Sequence, residues 1–121
     1  MTTTARALVV DVLLVGVFVL IGRRSHAESS ALAGFVSTVW PFLAGLAVGW
    51  LVGRAWRRPL RVWPEGVTGW LSTVAVGMVL RAVTGAGTAL SFIVVATVVL
   101  GVFLLGWRAA VPVLPRRRSR V

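Results

Sequence analysis

Polar and apolar positions divide the chain into four long apolar runs, separated by short polar or arginine-bearing segments. Ala7 to Ile21 is apolar except for Asp11, and with its flanks it reaches the roughly 18 to 20 residues that a bilayer crossing requires. Later runs end near Gly53, Val83 and Trp107. The pattern predicts an all-α fold, an integral membrane four-helix bundle with spans over about 5–22, 31–53, 66–83 and 88–107. Residues 1–107 then form one transmembrane domain, and 108–121 a basic cytoplasmic tail. Thr4 is the expected cap of the first helix, and Ser29 or Ser30 that of the second. Trp40-Pro41 predicts a kink or loose turn inside the second span, because proline lacks the amide proton and disfavours helical geometry in the residue before it. The competing reading of the first run is a secretory signal peptide, with Arg6 as its basic start and Ser25-His26-Ala27 as a cleavage site. Asp11 in the apolar segment and Arg23-Arg24 beside the cut argue against it.

Small residues recur at intervals of four in two of the runs. Gly45, Gly49 and Gly53 form overlapping GxxxG units in the second, and Gly69, Thr73, Gly77 and Arg81 share a face of the third. These glycines and Thr73 are expected helix-packing positions. Thr84-Gly85-Ala86-Gly87-Thr88 then turns the chain into the fourth run.

Composition sharpens this picture. Hydrophobic residues make up 58% and charged residues 13% of the chain, outside the range of ordinary soluble domains. With no cysteine, disulfides, thiolate catalysis and cysteine metal sites are excluded. All 13 basic residues are arginine, giving a net charge of +10. In a soluble protein this balance would suggest nucleic acid, but these arginines flank apolar runs, so topology and anionic lipid explain them better. Ten of them (Arg6; Arg54, Arg57, Arg58 and Arg61; Arg108, Arg116, Arg117, Arg118 and Arg120) fall on one side of a four-span arrangement and three (Arg23, Arg24 and Arg81) on the other. The positive-inside rule then puts both termini in the cytoplasm, in a multi-pass protein of the plasma membrane. Anionic lipid head groups are the expected partners of Arg54, Arg57, Arg58, Arg61, Arg116, Arg117 and Arg118, and no nucleic acid is expected.

Charges inside the apolar layer are the candidate functional sites. At 1.5 Å per residue, Asp11 lies roughly 8 Å inside the cytoplasmic edge and Arg81 roughly 22 Å from the same edge. A depth difference of about 14 Å speaks against a direct Asp11–Arg81 pair. Asp11 has Ser72, Thr73 and the indoles of Trp50 and Trp70 within reach of its depth. Arg81 has Ser37, Thr38, Ser91 and the carbonyls near Pro41. The bland alternatives are a carboxyl that is protonated or satisfied by hydroxyls, and an arginine that snorkels to the outer interface. Arg23 and His26 are further polar candidates in the first outer loop. His26 has no second ligand type to share a metal with, and Ser25, His26 and Glu28 are too close in one loop for triad geometry. No P-loop or HExxH is present, and TGAGT lacks the βαβ setting of a dinucleotide fingerprint. No catalytic residue, cofactor or metal is expected.

Asp11, Gly22-Arg23 with His26, Pro41-Phe42, Gly77-Met78-x-x-Arg81, Thr84-Gly85-x-Gly87, Phe92 and Gly106-Trp107-Arg108 occur in an order that resembles domain-of-unknown-function family 3054, small membrane proteins of actinobacteria and haloarchaea. The resemblance covers roughly Ala5 to Arg108. It implies four spans and supplies no activity and no catalytic or binding residue. Two function classes follow. One is a non-enzymatic accessory or scaffold protein, acting as a homodimer or within a larger membrane complex. The other is a small transporter or channel that uses Asp11 for proton coupling or Arg81 to attract anions. Whether Asp11 and Arg81 line a cavity or are sealed by packing discriminates between them.

Overall fold

A threonine starts the first helix, two residues earlier than the sequence suggests. In the computed structural model, which describes residues 2–23, 31–85 and 90–111, Thr2 Oγ1 accepts the Ala5 amide at 3.0 Å. Thr2 is therefore the cap, while Thr4 donates its hydroxyl to the carbonyl of Trp56 at 3.2 Å. Helix α1 spans Thr3–Arg23, α2 Ala31–Gly53, α3 Val67–Val83 and α4 Leu90–Ala110. The expected Ser29 and Ser30 caps, His26, Gly87 and Arg116, Arg117 and Arg118 lie outside the described residues, as does the side chain of Arg23.

Helix α2 runs through Pro41, so of the two alternatives expected there the loose turn does not form. One expectation is corrected. Helix α4 continues past Trp107 to Ala110, which puts Arg108 inside the last span rather than in a tail.

Each helix buries one stripe. Ala7, Asp11, Val15 and Phe18 face inward from α1, and Val39, Phe42, Leu46 and Trp50 from α2. Gly69, Thr73 and Gly77 do so from α3, and Ala96, Leu100, Leu104 and Arg108 from α4. These are the three- and four-residue steps of a helix face. Helix α1 packs against α2 and α4, and α3 packs against the same two helices, closing a ring. The outward faces are apolar as well: Leu13, Leu51, Val52 and Val83 are 61%, 67%, 72% and 76% exposed. Helices that are apolar all round suit a lipid solvent, in which association rests on close packing and hydrogen bonds rather than on expelling water.

The α2–α3 contact depends on missing side chains. A Cβ at Gly45 would lie 2.7 Å from the Ser72 carbonyl oxygen, and one at Gly49 would lie 2.8 Å from the Gly69 Cα. At that separation Ser72 Oγ donates to the Gly45 carbonyl at 2.8 Å, tying the two backbones together. Gly77 has a different task. The Phe42 ring occupies the place its Cβ would take, at 2.6 Å, and Phe42 in turn meets Phe18 and Phe92 at centroid distances of 5.6 and 6.2 Å. Gly101 opens room for the indole of Trp70, whose Nε1 donates to the Thr97 carbonyl at 2.9 Å. Between α2 and α3, Arg54 adopts a left-handed conformation (φ 52) and ends α2, followed by a tight helical turn over Ala55–Arg57. Trp63 is extended, and Gly66 donates to the Arg61 carbonyl at 2.9 Å as the chain enters α3. At the other end of α3, Gly85 (φ 81) leaves the helix in the left-handed region that favours glycine.

The glycines are not equivalent, and this is testable. Gly45→Ala or Gly49→Ala must push two backbones apart and should cost about 1–3 kcal/mol, the usual penalty of overpacking. A Cβ at Gly69 meets no neighbouring atom within 4 Å, so Gly69→Ala should leave the thermal midpoint unchanged or raise it. Unfolding of the three variants in mild detergent checks this; equal losses at all three positions would contradict the α2–α3 geometry.

Candidate functional site

Asp11 sits two turns into α1 and is 1% exposed. Its carboxylate is held by three residues from two other helices. Arg108 of α4 approaches it end-on, NH1 donating to Oδ1 and NH2 to Oδ2, each at 2.8 Å. Trp107 Nε1 donates to Oδ1 and Trp50 Nε1 of α2 to Oδ2, each at 2.9 Å. Four donors thus meet the roughly four lone-pair positions a carboxylate offers. Each nitrogen of the arginine is engaged as well. Its Nε donates to the Pro59 carbonyl at 2.9 Å, NH1 also donates to the Leu104 carbonyl at 3.0 Å, and its guanidinium carbon lies 4.8 Å from the Trp107 ring centroid. A Cβ on Gly66 would lie 3.0 Å from the Arg108 Cδ, so the segment entering α3 closes over the arginine stem.

This clamp joins α1, α2, α4 and the α2–α3 connection at one end of the ring. Arg108 is 3% exposed, so both charges are withdrawn from solvent. In such surroundings the bidentate pair is worth having only because every remaining polar atom is also satisfied. The arrangement holds helices together. It leaves the carboxylate without an open acceptor position for a metal, a substrate or a travelling proton.

Glu65, just before α3, is a second buried carboxylate at 4% exposure. Its Oε2 accepts from Arg58 Nε at 3.0 Å, while its Oε1 is buried with no hydrogen-bond partner among the described residues. The Arg58 side chain is 48% exposed, so this pair contributes at most about 1 kcal/mol.

Arg81 lies at the opposite end of the ring from the clamp. Its guanidinium carbon is 4.8 Å from the Phe92 ring centroid, and it borders a cleft of about 380 Å³ shared with Phe18, Thr38, Ser91 and Val95. The depth argument against an Asp11–Arg81 pair agrees with this placement. Of the partners expected for Asp11, Trp50 is found; of those expected for Arg81, Thr38 and Ser91 share its cleft. Ser72 and Thr73 instead donate to the backbone carbonyls of Gly45 and Gly69. His26 and the side chain of Arg23 lie outside the described residues. Among those that are described, no cluster of three or more histidine and carboxylate residues that could hold a metal occurs.

Arg108 and Trp107 are the functional-site residues that sequence reasoning passed over. The signal was available: in four alternating spans the end of the fourth lies beside the start of the first. What concealed it was treating Arg108 as part of the basic tail. A helical side chain leans toward the N-terminus of its helix, so an arginine in the last turn of α4 reaches back into the apolar layer and caps the Leu104 carbonyl on the way.

Four helices long and apolar enough to cross a bilayer, with the Asp11–Arg108 pair buried between the first and the last, define a four-span membrane protein. The sequence places it further: over residues 8–111 it matches the family described as "Protein of unknown function (DUF3054)", and the chain belongs to that family. Neither curated proteins nor solved structures contain a match.

Removal of one member of the clamp should be severe and removal of both much less so. Asp11→Asn or Arg108→Gln strands a buried charge and should each destabilise by about 3–5 kcal/mol. Asp11→Asn combined with Arg108→Gln should lose clearly less than the sum. Unfolding of the wild type, both single variants and the double variant yields the coupling energy; simple additivity would mean that the pair is energetically unimportant.

Proposed function

We propose that this protein is a non-enzymatic accessory or scaffold protein of the plasma membrane, acting as a homodimer or as part of a larger membrane complex, with both termini cytoplasmic. The observation that carries this reading is the closed state of Asp11. A carboxylate that couples transport to proton movement must exchange protons with water on each side in turn. Asp11 is 1% exposed, with an arginine and two indoles filling its acceptor positions, so releasing it would dismantle the contact between three helices. A structural fixture is the better account. The broad apolar exterior suits lipid and helix partners, and the exposed Arg54, Arg57 and Arg61 lie where anionic head groups would meet the clamp end.

The orientation rests on the ten-to-three distribution of arginine. Single cysteines at Thr3, Trp63, Ser29 and Gly87 test it by labelling from outside intact cells. Trp63, 68% exposed, serves better than the buried Glu65 as the reporter of the α2–α3 connection. Labelling at Ser29 and Gly87 alone is expected; strong labelling at Trp63 would reverse the orientation.

Reconstitution tests the function class. Liposomes carrying the wild type should show no proton or chloride flux above empty liposomes under imposed gradients, and Asp11→Asn should lose stability rather than a transport activity. Proton flux in the wild type that vanishes in an Asp11→Asn variant of unchanged melting temperature would replace the scaffold reading with the transporter.

A further inference from the structure

We propose that the cleft beneath Arg81 binds an oxyanion-headed acyl chain, its carboxylate or phosphate on the guanidinium and its first methylenes between Phe18, Phe92 and Val95. The cleft lies at the end of the ring away from the clamp, bounded by the end of α3, the start of α4, the last turns of α1 and the first half of α2. Its volume of about 380 Å³ falls within the range of small-ligand sites, which run from roughly 300 to 1,000 Å³. Its chemistry is two-sided. Arg81 and the hydroxyl residues Thr38 and Ser91 border it together with Phe18, Phe92 and Val95.

A guanidinium presents five donors in a planar fork that matches a carboxylate or phosphate in two parallel bonds. Here the fork lies against the Phe92 ring at 4.8 Å, which holds its plane in place. Phe18, Phe42 and Phe92 form one aromatic group with centroids 5.6 to 6.2 Å apart, giving the cleft a rigid apolar floor. Such walls are poor solvent for a small, strongly hydrated inorganic anion. They suit an anion that arrives attached to hydrocarbon. Val95 is 51% exposed on the outward side of α4, so the cleft opens toward the lipid phase, from which a chain can enter sideways. Gly77 contributes indirectly, since only its lack of a side chain lets Phe42 take its position in the group. The inference is independent of the scaffold reading, because it concerns the opposite end of the ring and requires no transport.

Binding of radiolabelled palmitate to the purified full chain in phosphatidylcholine nanodiscs tests the proposal. Saturable binding is expected, with methyl palmitate, which has the same chain and no charge, failing to compete. Arg81→Gln should weaken binding about tenfold or more, as loss of charge-assisted hydrogen bonds does, and Arg81→Lys should fall between it and the wild type. Val95→Trp fills the cleft from its half-exposed rim without altering Arg81, and it should abolish binding at an unchanged melting temperature. That variant decides the matter should Arg81→Gln fold poorly. Competition by phosphatidylglycerol would identify the natural head group as that of a phospholipid; its failure to compete would identify a free fatty acid. Absence of saturable binding by both palmitate and phosphatidylglycerol, equal competition by methyl palmitate, displacement by inorganic phosphate, or wild-type affinity in Val95→Trp would each overturn the proposal.

Discussion

An ion pair that cannot be hydrated has to be satisfied by protein on every side, and the Asp11–Arg108 contact imposes that condition on this molecule. Two oxygens and a guanidinium meet at 2.8 Å, and the polar capacity left over is filled by two indoles and two backbone carbonyls. Each of these groups must arrive from a different part of the chain. The start of α1 has to lie beside the end of α4, Trp50 must point inward from the last turn of α2, and the connection after α2 must bring the Pro59 carbonyl over the arginine. A bilayer supplies little drive for helices to associate. A polar node that penalises every incomplete arrangement therefore selects one register among many apolar packings of similar energy.

The remainder of the ring is arranged around that fixed end. Thr4 reaching the Trp56 carbonyl and Gly66 packing on the Arg108 stem tighten the same region. Away from it, the α2–α3 contact is held by absence of side chains at Gly45 and Gly49, and the opposite end by an aromatic group beneath a second arginine. The two intramembrane charges singled out by their position thus have different fates. Asp11 is neutralised by an internal cation and locked. Arg81 borders a cleft, with an aromatic ring for a platform. Equal depth from opposite surfaces made them look alike, yet their surroundings assign one to stability and make the other a candidate for recognition.

Membership of a family described only by unknown function leaves the chemistry of these two ends as the basis for any functional reading. A sealed carboxylate argues for a fixture rather than a pump, and an outward-opening cleft headed by a guanidinium argues for a ligand drawn from the lipid phase. The two proposals are compatible: a small membrane scaffold can hold a lipid without moving it.

Four helices long and apolar enough to cross a bilayer, and the inward face of α3, were legible in the residues, because hydropathy, helical period and small-residue spacing are properties of one segment at a time. Depth along the helices placed Trp50 among four candidate partners of Asp11, and the packing chose it over Trp70, Ser72 and Thr73. What only the tertiary structure decided was where the carboxylate finds its charge. Asp11 and Arg108 are 97 positions apart, and their meeting depends on which helices are neighbours and on an arginine folding back along its own helix. Likewise a cap at Thr2, an unbroken helix through Pro41 and an open side at Gly69 depend on what stands opposite each residue. A single segment carries no information about its neighbour, and it is the neighbour that satisfies a buried charge or leaves room for a side chain.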